Sequence, residues 1–212
     1  MFYLTQTPGL LKRMNPGCIW NFSREEQVIY LTFDDGPHPV ATPFALDVLK
    51  EFNAKATFFC IGKNVQAYPE IYKRILNEGH TTGNHTFNHL NGRKTTNEEY
   101  IKDIKAATGF IDSNLFRPPY GRISGFQTRL LTASENRKQQ TKFRIIMWDV
   151  LSGDFDHSLS GVQCAKNVTK NAREGSIVVF HDSEKAFQRM EKALPETLKF
   201  FLEKGYAFEA IR

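Results

Sequence analysis

From Val28 onward, short apolar runs alternate with longer segments whose apolar residues recur at helical spacing. Val28–Phe33, Ala56–Ile61, His80–Gly83, Leu115–Phe116, Phe143–Val150, Ser176–Phe180 and Tyr206–Ile211 read as strands, several of them halted by Gly or Pro. Between them, Thr42–Phe52 places Phe44, Val48, Leu49 and Phe52 on one helical face. Tyr68–Glu78 has Pro69 in its first turn and Gly79 after its last. Glu98–Thr108 follows the capping candidates Thr95, Thr96 and Asn97. Gly125–Ser134 and Leu159–Arg173 are further helices, and Glu184–Leu194 and Glu196–Lys204 are expected as two pieces, with Pro195 starting the second. The N-terminal stretch, broken by Pro8, Gly9, Pro16 and Gly17, reads as irregular, and the polar run Glu135–Lys142 as a loop or frayed end.

This alternation predicts parallel strands joined by crossover helices. No GxGxxG follows the first strand and no GxxxxGK[ST] is present, so nucleotide-binding versions of the architecture lose support. A barrel-like α/β fold of six to eight strands fits, in one domain spanning residues 1–212.

Composition narrows the function. The 212 residues are 41% apolar and 24% charged, with eighteen Phe, which suits a globular chain with an aromatic core. The net charge of +5 is spread among acids, as in Lys185–Lys204, so no basic block marks a nucleic-acid partner. A mild attraction to anionic cell-wall polymers remains. Cys18, Cys60 and Cys164 are odd in number and widely spaced, which suggests neither a zinc knot nor a disulfide framework. No stretch reaches the ~20 apolar residues of a membrane span. No secretory signal is visible, so the expected location is cytoplasmic, with extracytoplasmic placement requiring a start site further upstream. The oligomeric state is not legible.

Polar residues capable of chemistry fall at the predicted strand ends. They are Asp34 and Asp35, His85 and His89, Arg117 and Tyr120, Asp154, and His181. In a parallel barrel these ends share one rim. Asp34-Asp35-Gly36-Pro37 alone is ordinary turn chemistry; the alternative is that one carboxylate binds a metal while the other works beside it. His85-Thr86-Phe87-Asn88-His89 presents two imidazoles at i and i+4, on one face if the turn is helical. Taken alone, the pair is equally well two surface histidines. With Asp35 they make two nitrogens and one anionic oxygen, a set suited to zinc or a similar divalent ion with an open position. Asp34 then stands beside the activated water as a base, and Arg117 holds it ionised and oriented. His181 is placed to protonate a leaving nitrogen, with Asp154 raising its pKa.

Five motifs in order resemble the polysaccharide deacetylases of the NodB-homology type, carbohydrate esterase family 4. They are Thr32-Phe33-Asp34-Asp35-Gly36, His85 to His89, Arg117-Pro118-Pro119-Tyr120-Gly121, Trp148 to Phe155, and Val179-Phe180-His181, within residues 28–211. The resemblance implies a deformed (β/α) barrel of about seven parallel strands with outer helices. It also implies a metal-dependent hydrolase that removes N-acetyl groups from amino sugars of a peptidoglycan- or chitin-like glycan. Carried over, Asp35, His85 and His89 hold the metal (zinc foremost, with cobalt, nickel or manganese as alternatives) and Asp34 is the base. Arg117 orients Asp34, His181 is the acid tuned by Asp154, and the Tyr120 N–H stabilises the oxyanion.

Trp148 and Val179 are acetyl-pocket candidates under the same resemblance. The chain departs from the pattern at Leu151, Phe155 and Val179, where the family carries Asp, Trp and Leu, so acyl size and sugar specificity are less defined than hydrolysis. The polar connection Arg122–Lys142 is placed to shape a groove wall. Three rivals carry weight. A related hydrolase of cyclic imides or ureides and a catalytically weak glycan-binding module both share the scaffold. An iron(II) oxygenase shares the two-His, one-carboxylate set but leaves Asp34, Arg117 and His181 without roles.

Overall fold

A computed structural model of the chain describes residues 3–133 and 142–212, so the expected loop at 135–142 lies outside the described residues except for Lys142. Helix α1 (Gly9–Met14) and strand β1 (Cys18–Ile19) form in the stretch read as irregular. Then come β2 (Val28–Asp34), α2 (Ala41–Glu51), β3 (Ala56–Cys60), α3 (Gly62–Ala67), α4 (Pro69–Asn77) and β4 (Thr81–Asn84). They are followed by α5 (Asn97–Thr108), β5 (Leu115–Phe116), α6 (Gly125–Thr132), β6 (Arg144–Ile146) and β7 (Val150–Leu151). The chain closes with α7 (Gly161–Asn171), β8 (Ile177–His181), α8 (Glu184–Leu202) and β9 (Ala207–Phe208).

The strand ladders are parallel, in the hydrogen-bonded order β1-β6-β5-β4-β3-β2-β8-β7, with β9 against β2. Only residues 147–149 separate β6 from β7, although the two lie toward opposite ends of that order. The sheet therefore curls round on itself as the expected deformed (β/α) barrel. Among the described residues it has nine strands, where about seven were expected, because β1 is added and the single strand expected at Phe143–Val150 is divided. The division has a local cause. The Ile146 and Met147 carbonyls accept from the Arg117 guanidinium (3.1 and 3.0 Å), and the Met147 N–H turns to Ile19 O (2.7 Å).

The N-terminal segment fills this seam. Thr7 N–H donates to Asp149 O (2.9 Å), Leu151 N–H donates to Thr5 O (2.8 Å), and Gln6 bridges Val150. Asp149, 1% exposed, pairs with Lys12 and with Arg24 (2.8 Å) and accepts from Ser176 Oγ (2.7 Å).

Side chains on the central strands alternate between two layers. Phe33, Phe58 and Phe180 are register neighbours facing outward, with ring centroids 4.8 and 6.1 Å from Phe33. They share a core cluster with Leu46 and Leu49 of α2 and Met190, Leu194 and Leu198 of α8. Fully burying a side chain of this kind contributes about 1.5–3 kcal/mol. A second cluster joins Phe59, Leu115, Ile146, Ile177 and Ile211. The first of these clusters also corrects the C-terminal reading. One helix runs through Pro195, where two were expected, because Ala193, Leu194, Thr197, Leu198 and Phe201 are buried on both sides of it. Their joint burial outweighs the ~3 kcal/mol an interior proline costs.

Among the described residues no helix is long and apolar enough to cross a membrane, and Cys18, Cys60 and Cys164 are free and buried.

The seam makes a pH prediction. Burial works to raise the Asp149 pKa, but hydrogen bonds from Lys12, Ser176 and Arg24 hold it below its ordinary value. A folded-state pKa depressed in this way gives stability that is full above the unfolded carboxylate value of ~3.9 and is lost as the pH falls through the lower folded value. Asp149→Asn is expected to lose about 3 kcal/mol at pH 7 by urea denaturation. The gap to wild type should close as the pH drops below about 4; a gap that persists at lower pH would contradict the assignment.

Candidate active site and metal centre

Parallel strands bring the ends of β2, β4 and β8 and the segments after β5 and β7 to one rim. Arg117, just past β5, is fully buried. Its Nη1 donates to Asp34 Oδ1 and to Thr32 Oγ1, both at 2.7 Å, while Nε and Nη2 serve the two carbonyls of the divided strand. The guanidinium carbon lies 4.1 Å from the Phe59 ring centroid. Asp34, 4% exposed, thus meets a fixed cation at the mouth of the barrel.

Asp35 Oδ1 is 3.1 Å from His89 Nε2 and 3.6 Å from His85 Nε2, and the three donor atoms lie within 4.8 Å of one another. The His85 tautomer follows from its other nitrogen. Nδ1 is 2.8 Å from the Arg117 carbonyl, which can only accept, so Nδ1 carries the proton and Nε2 presents a lone pair. Burial lowers the His85 pKa to about 4, aided by the neighbouring His89. A neutral imidazole lone pair therefore faces a carboxylate oxygen with no proton between them. Two acceptors in that arrangement suit a divalent cation shared with His89. Burial alone would raise Asp35, yet the hydrogen bond from His89 and the nearby charge of His181 hold it well below the usual carboxylate range.

The His pair is not on a helical turn. Thr86 and His89 have φ of 63° and 59°. The reason is competition for backbone donors. Asn84 Oδ1 takes the Thr86 N–H (2.8 Å), and Asp103 Oδ2 takes those of Phe87 and Asn88 (3.0 and 2.9 Å). Thr86 Oγ1 also accepts from Leu90 N–H (3.2 Å).

Across the rim, His181 Nδ1 is 2.8 Å from Asp154 Oδ1, and the His181 N–H donates to Asp154 Oδ2 at 2.7 Å. Burial alone would lower the His181 pKa. The charge and hydrogen bond of Asp154, with smaller contributions from Asp35 and Asp34, raise it to about 9. Phe155 packs its ring 5.1 Å from that of His181. Tyr120 has φ 60°, is 57% exposed and has its ring 4.7 Å from His89. Asp34, Asp35, His85, His89, Arg117, Tyr120, Asp154 and His181 thus all lie on or just past strand ends at this rim, while Val179, an acetyl-pocket candidate, is buried within β8.

Two positioning residues escaped the sequence reading. Asp182, next to His181 and fully buried, accepts from Gly36 N–H (3.0 Å) and from Thr42 Oγ1 (2.5 Å). With Asn64 Nδ2 on Asp35 O (2.7 Å), it holds the turn in which Asp35 has φ 80°. Burial, with the charges of Asp35 and Asp34, pushes Asp182 well above the usual carboxylate range, against the Thr42 hydroxyl. Asp103 is the other, through the loop contacts above. In sequence, each is simply an acid at or near a helix, and no local signal separates it from a solvated one.

The polysaccharide deacetylase family model matches residues 22–137. A peptidoglycan-N-acetylglucosamine deacetylase of Bacillus cereus is 35% identical over 198 residues, covering 91% of this chain and 90% of the relative. A chitooligosaccharide deacetylase of Azorhizobium caulinodans is 36% identical, covering 76% of each chain. The crystal structure of the Bc1960 peptidoglycan N-acetylglucosamine deacetylase superposes with a TM-score of 0.85 at 31% identity, over 97% of this chain and 95% of the other. Asp34, Asp35, His85, His89, Arg117 and Tyr120 all lie inside the matched stretch, and the chain belongs to the polysaccharide deacetylase family.

Proposed function

We propose that the chain hydrolyses N-acetyl groups from the amino sugars of a peptidoglycan- or chitin-like glycan. One observation carries the reading. A buried Arg117–Asp34 pair adjoins the Asp35, His85 and His89 donors, and a protonated His181 stands on the same rim. Asp35, His85 and His89 would hold a divalent metal; two nitrogens and one carboxylate favour zinc, with cobalt, nickel or manganese as substitutes. The metal, when bound, supplies Lewis acidity to the acetyl carbonyl and the attacking water.

The residues divide the proton transfers. Asp34, fixed by Arg117, takes a proton from the attacking water as its oxygen bonds to the carbonyl carbon. The Tyr120 N–H is aimed at the negative charge that develops on the carbonyl oxygen. His181 keeps Nδ1–H on Asp154 and delivers the proton from Nε2 to the leaving nitrogen. The C–N bond then breaks to give acetate and a free amine.

Asp34→Asn should lower acetate release from N-acetylglucosamine oligomers by about 10²–10⁴-fold in zinc- or cobalt-supplemented enzyme; equal release by the variant would remove Asp34 as the base. The same substrate panel, extended to cyclic imides and ureides, separates the neighbouring amide hydrolases.

Because His181 is raised to about 9, it is protonated below that pH, and kcat/KM should fall as pH rises through it. Asp154→Asn removes the charge that raises it, so the alkaline limb should move to lower pH; an unmoved limb assigns it to another group.

Asp182→Ala should weaken zinc retention in a competition with a chromophoric chelator about tenfold or more. Asp182→Asn, which resembles the neutral acid, should stay near wild type. Equal retention in all three proteins would show that the turn holds Asp35 without Asp182.

A further inference from the structure

The N-terminal segment reaches His181 through a file of rings. The Gln6–Val150 bridge is antiparallel, and Leu151 N–H donates to Thr5 O (2.8 Å). Carried three residues further, that register sets Tyr3 beside Gly153. There the Tyr3 ring stands 4.9 Å from the Phe155 ring at an interplanar angle of 59°. Phe155 in turn meets the His181 imidazole edge to face, at 5.1 Å and 76°. Ring pairs at these separations attract one another beyond the area they bury.

The loop after β7 is shaped to receive Tyr3. Gly153 has φ 82°, and a Cβ at this position would stand 2.8 Å from Tyr3 Oη and 2.9 Å from Leu159 Cδ1. The missing side chain is therefore the notch in which the hydroxyl sits. Burial, with the facing Asp156 carboxylate, pushes that hydroxyl up to about 12, so it stays protonated as a donor. Tyr3 also borders a cavity of about 370 Å³ that Leu4, Leu11 and Trp20 help to line. The ring thus has open space beside it and takes its position from the loop at 153–156.

His181 keeps a freedom that its carboxylate partner does not remove. Asp154 Oδ1 holds Nδ1 at 2.8 Å. The Asp154 main chain is fixed in turn, its carbonyl by Arg189 Nε (2.6 Å) and its N–H by Ser152 Oγ (3.3 Å). One hydrogen bond to the ring still lets the imidazole tilt about the Nδ1–H axis, and Nε2 swings with it. Phe155 blocks that tilt from one side, and Phe155, half-buried, is itself backed by Tyr3. We propose that Tyr3 is a positioning residue for proton delivery: through Phe155 it holds the His181 ring so that Nε2 faces the leaving nitrogen. The proposal rests on the deacetylase reading and adds to it a residue of the N-terminal segment, outside every motif at the rim.

The test gives the zinc-loaded full chain two acetyl donors that differ in their need for an acid. The N-acetylglucosamine tetramer releases an amine, which must be protonated as it leaves, whereas 4-nitrophenyl acetate releases a phenolate, which departs without a proton. Tyr3→Ala should lower kcat on the tetramer about tenfold with KM within about twofold, and should leave 4-nitrophenyl acetate within about twofold of wild type. Tyr3→Phe keeps the ring and should hold tetramer turnover within about twofold of wild type. A matching loss on both substrates would make Tyr3 a stability residue and overturn the proposal, as would an unchanged tetramer rate. A Tyr3→Phe protein as slow as Tyr3→Ala would move the effect to the hydroxyl and overturn the ring route.

Side-chain NMR relaxation of the His181 imidazole, labelled at Cε1, separates the two readings without turnover. Ring order should fall in Tyr3→Ala and hold in Tyr3→Phe. If wild type releases no acetate but His181 loosens in this way, the positioning stands and the deacetylase reading falls. An imidazole equally ordered in all three proteins removes the positioning whatever the turnover.

Discussion

A guanidinium without solvent must spend every N–H on the protein, and Arg117 spends its own on the parts that make the site. It fixes Asp34, takes the Thr32 hydroxyl, and binds the carbonyls of Ile146 and Met147. Those last two bonds divide a strand that the sequence pattern would carry unbroken, and the division opens the seam. The main chain of the same residue accepts from His85 Nδ1 and so selects the tautomer that offers a lone pair to a metal. The Asp34 carboxylate, the His85 tautomer and the barrel shape are therefore set by one residue. Leaving any of its partners unmet in a buried site would cost on the order of 1–3 kcal/mol.

The two histidines with the clearest shifts move in opposite directions on the same rim. His85 is driven down to about 4 by burial and His181 up to about 9 by Asp154. Opposed environments of this kind let identical side chains serve as a neutral donor and a protonated acid at one pH. The backbone shows the same concentration of special conditions. Among the described residues, five non-glycine residues have positive φ, and four of these are Asp35, Thr86, His89 and Tyr120. Each such conformation costs of order 1–3 kcal/mol, so the site is held by its surroundings. Asn64, Asp182, Asn84 and Asp103 provide that hold through hydrogen bonds to the adjacent backbone.

The residues that meet at the rim were legible because each follows a short apolar strand directly or by a few residues, and parallel strands share an end. Alternation of strand and helix was enough for the architecture, and the pairings Arg117–Asp34 and Asp154–His181 follow once the rim is drawn. The unread features depend on partners remote in sequence. Asp182 and Asp103 are ordinary acids until Gly36 or Phe87 is brought to them. Pro195 is a helix breaker until buried neighbours on both sides outweigh it. The turn between His85 and His89 has helical spacing but loses its backbone donors to Asn84 and Asp103. Strand β1 has two residues and no period to read.

The seam also bears on how the protein is made. Lys12 meets its partner Asp149 across 137 residues of chain, and Cys18–Ile19 pairs with Ile145–Ile146. The segment that precedes β2 is thus among the last to dock. On the ribosome a nascent barrel stays open along one side until the chain beyond Leu151 has emerged. Through that interval Leu4, Leu11 and Trp20 have no cavity to line, and the half-built chain exposes apolar surface that the finished one shelters.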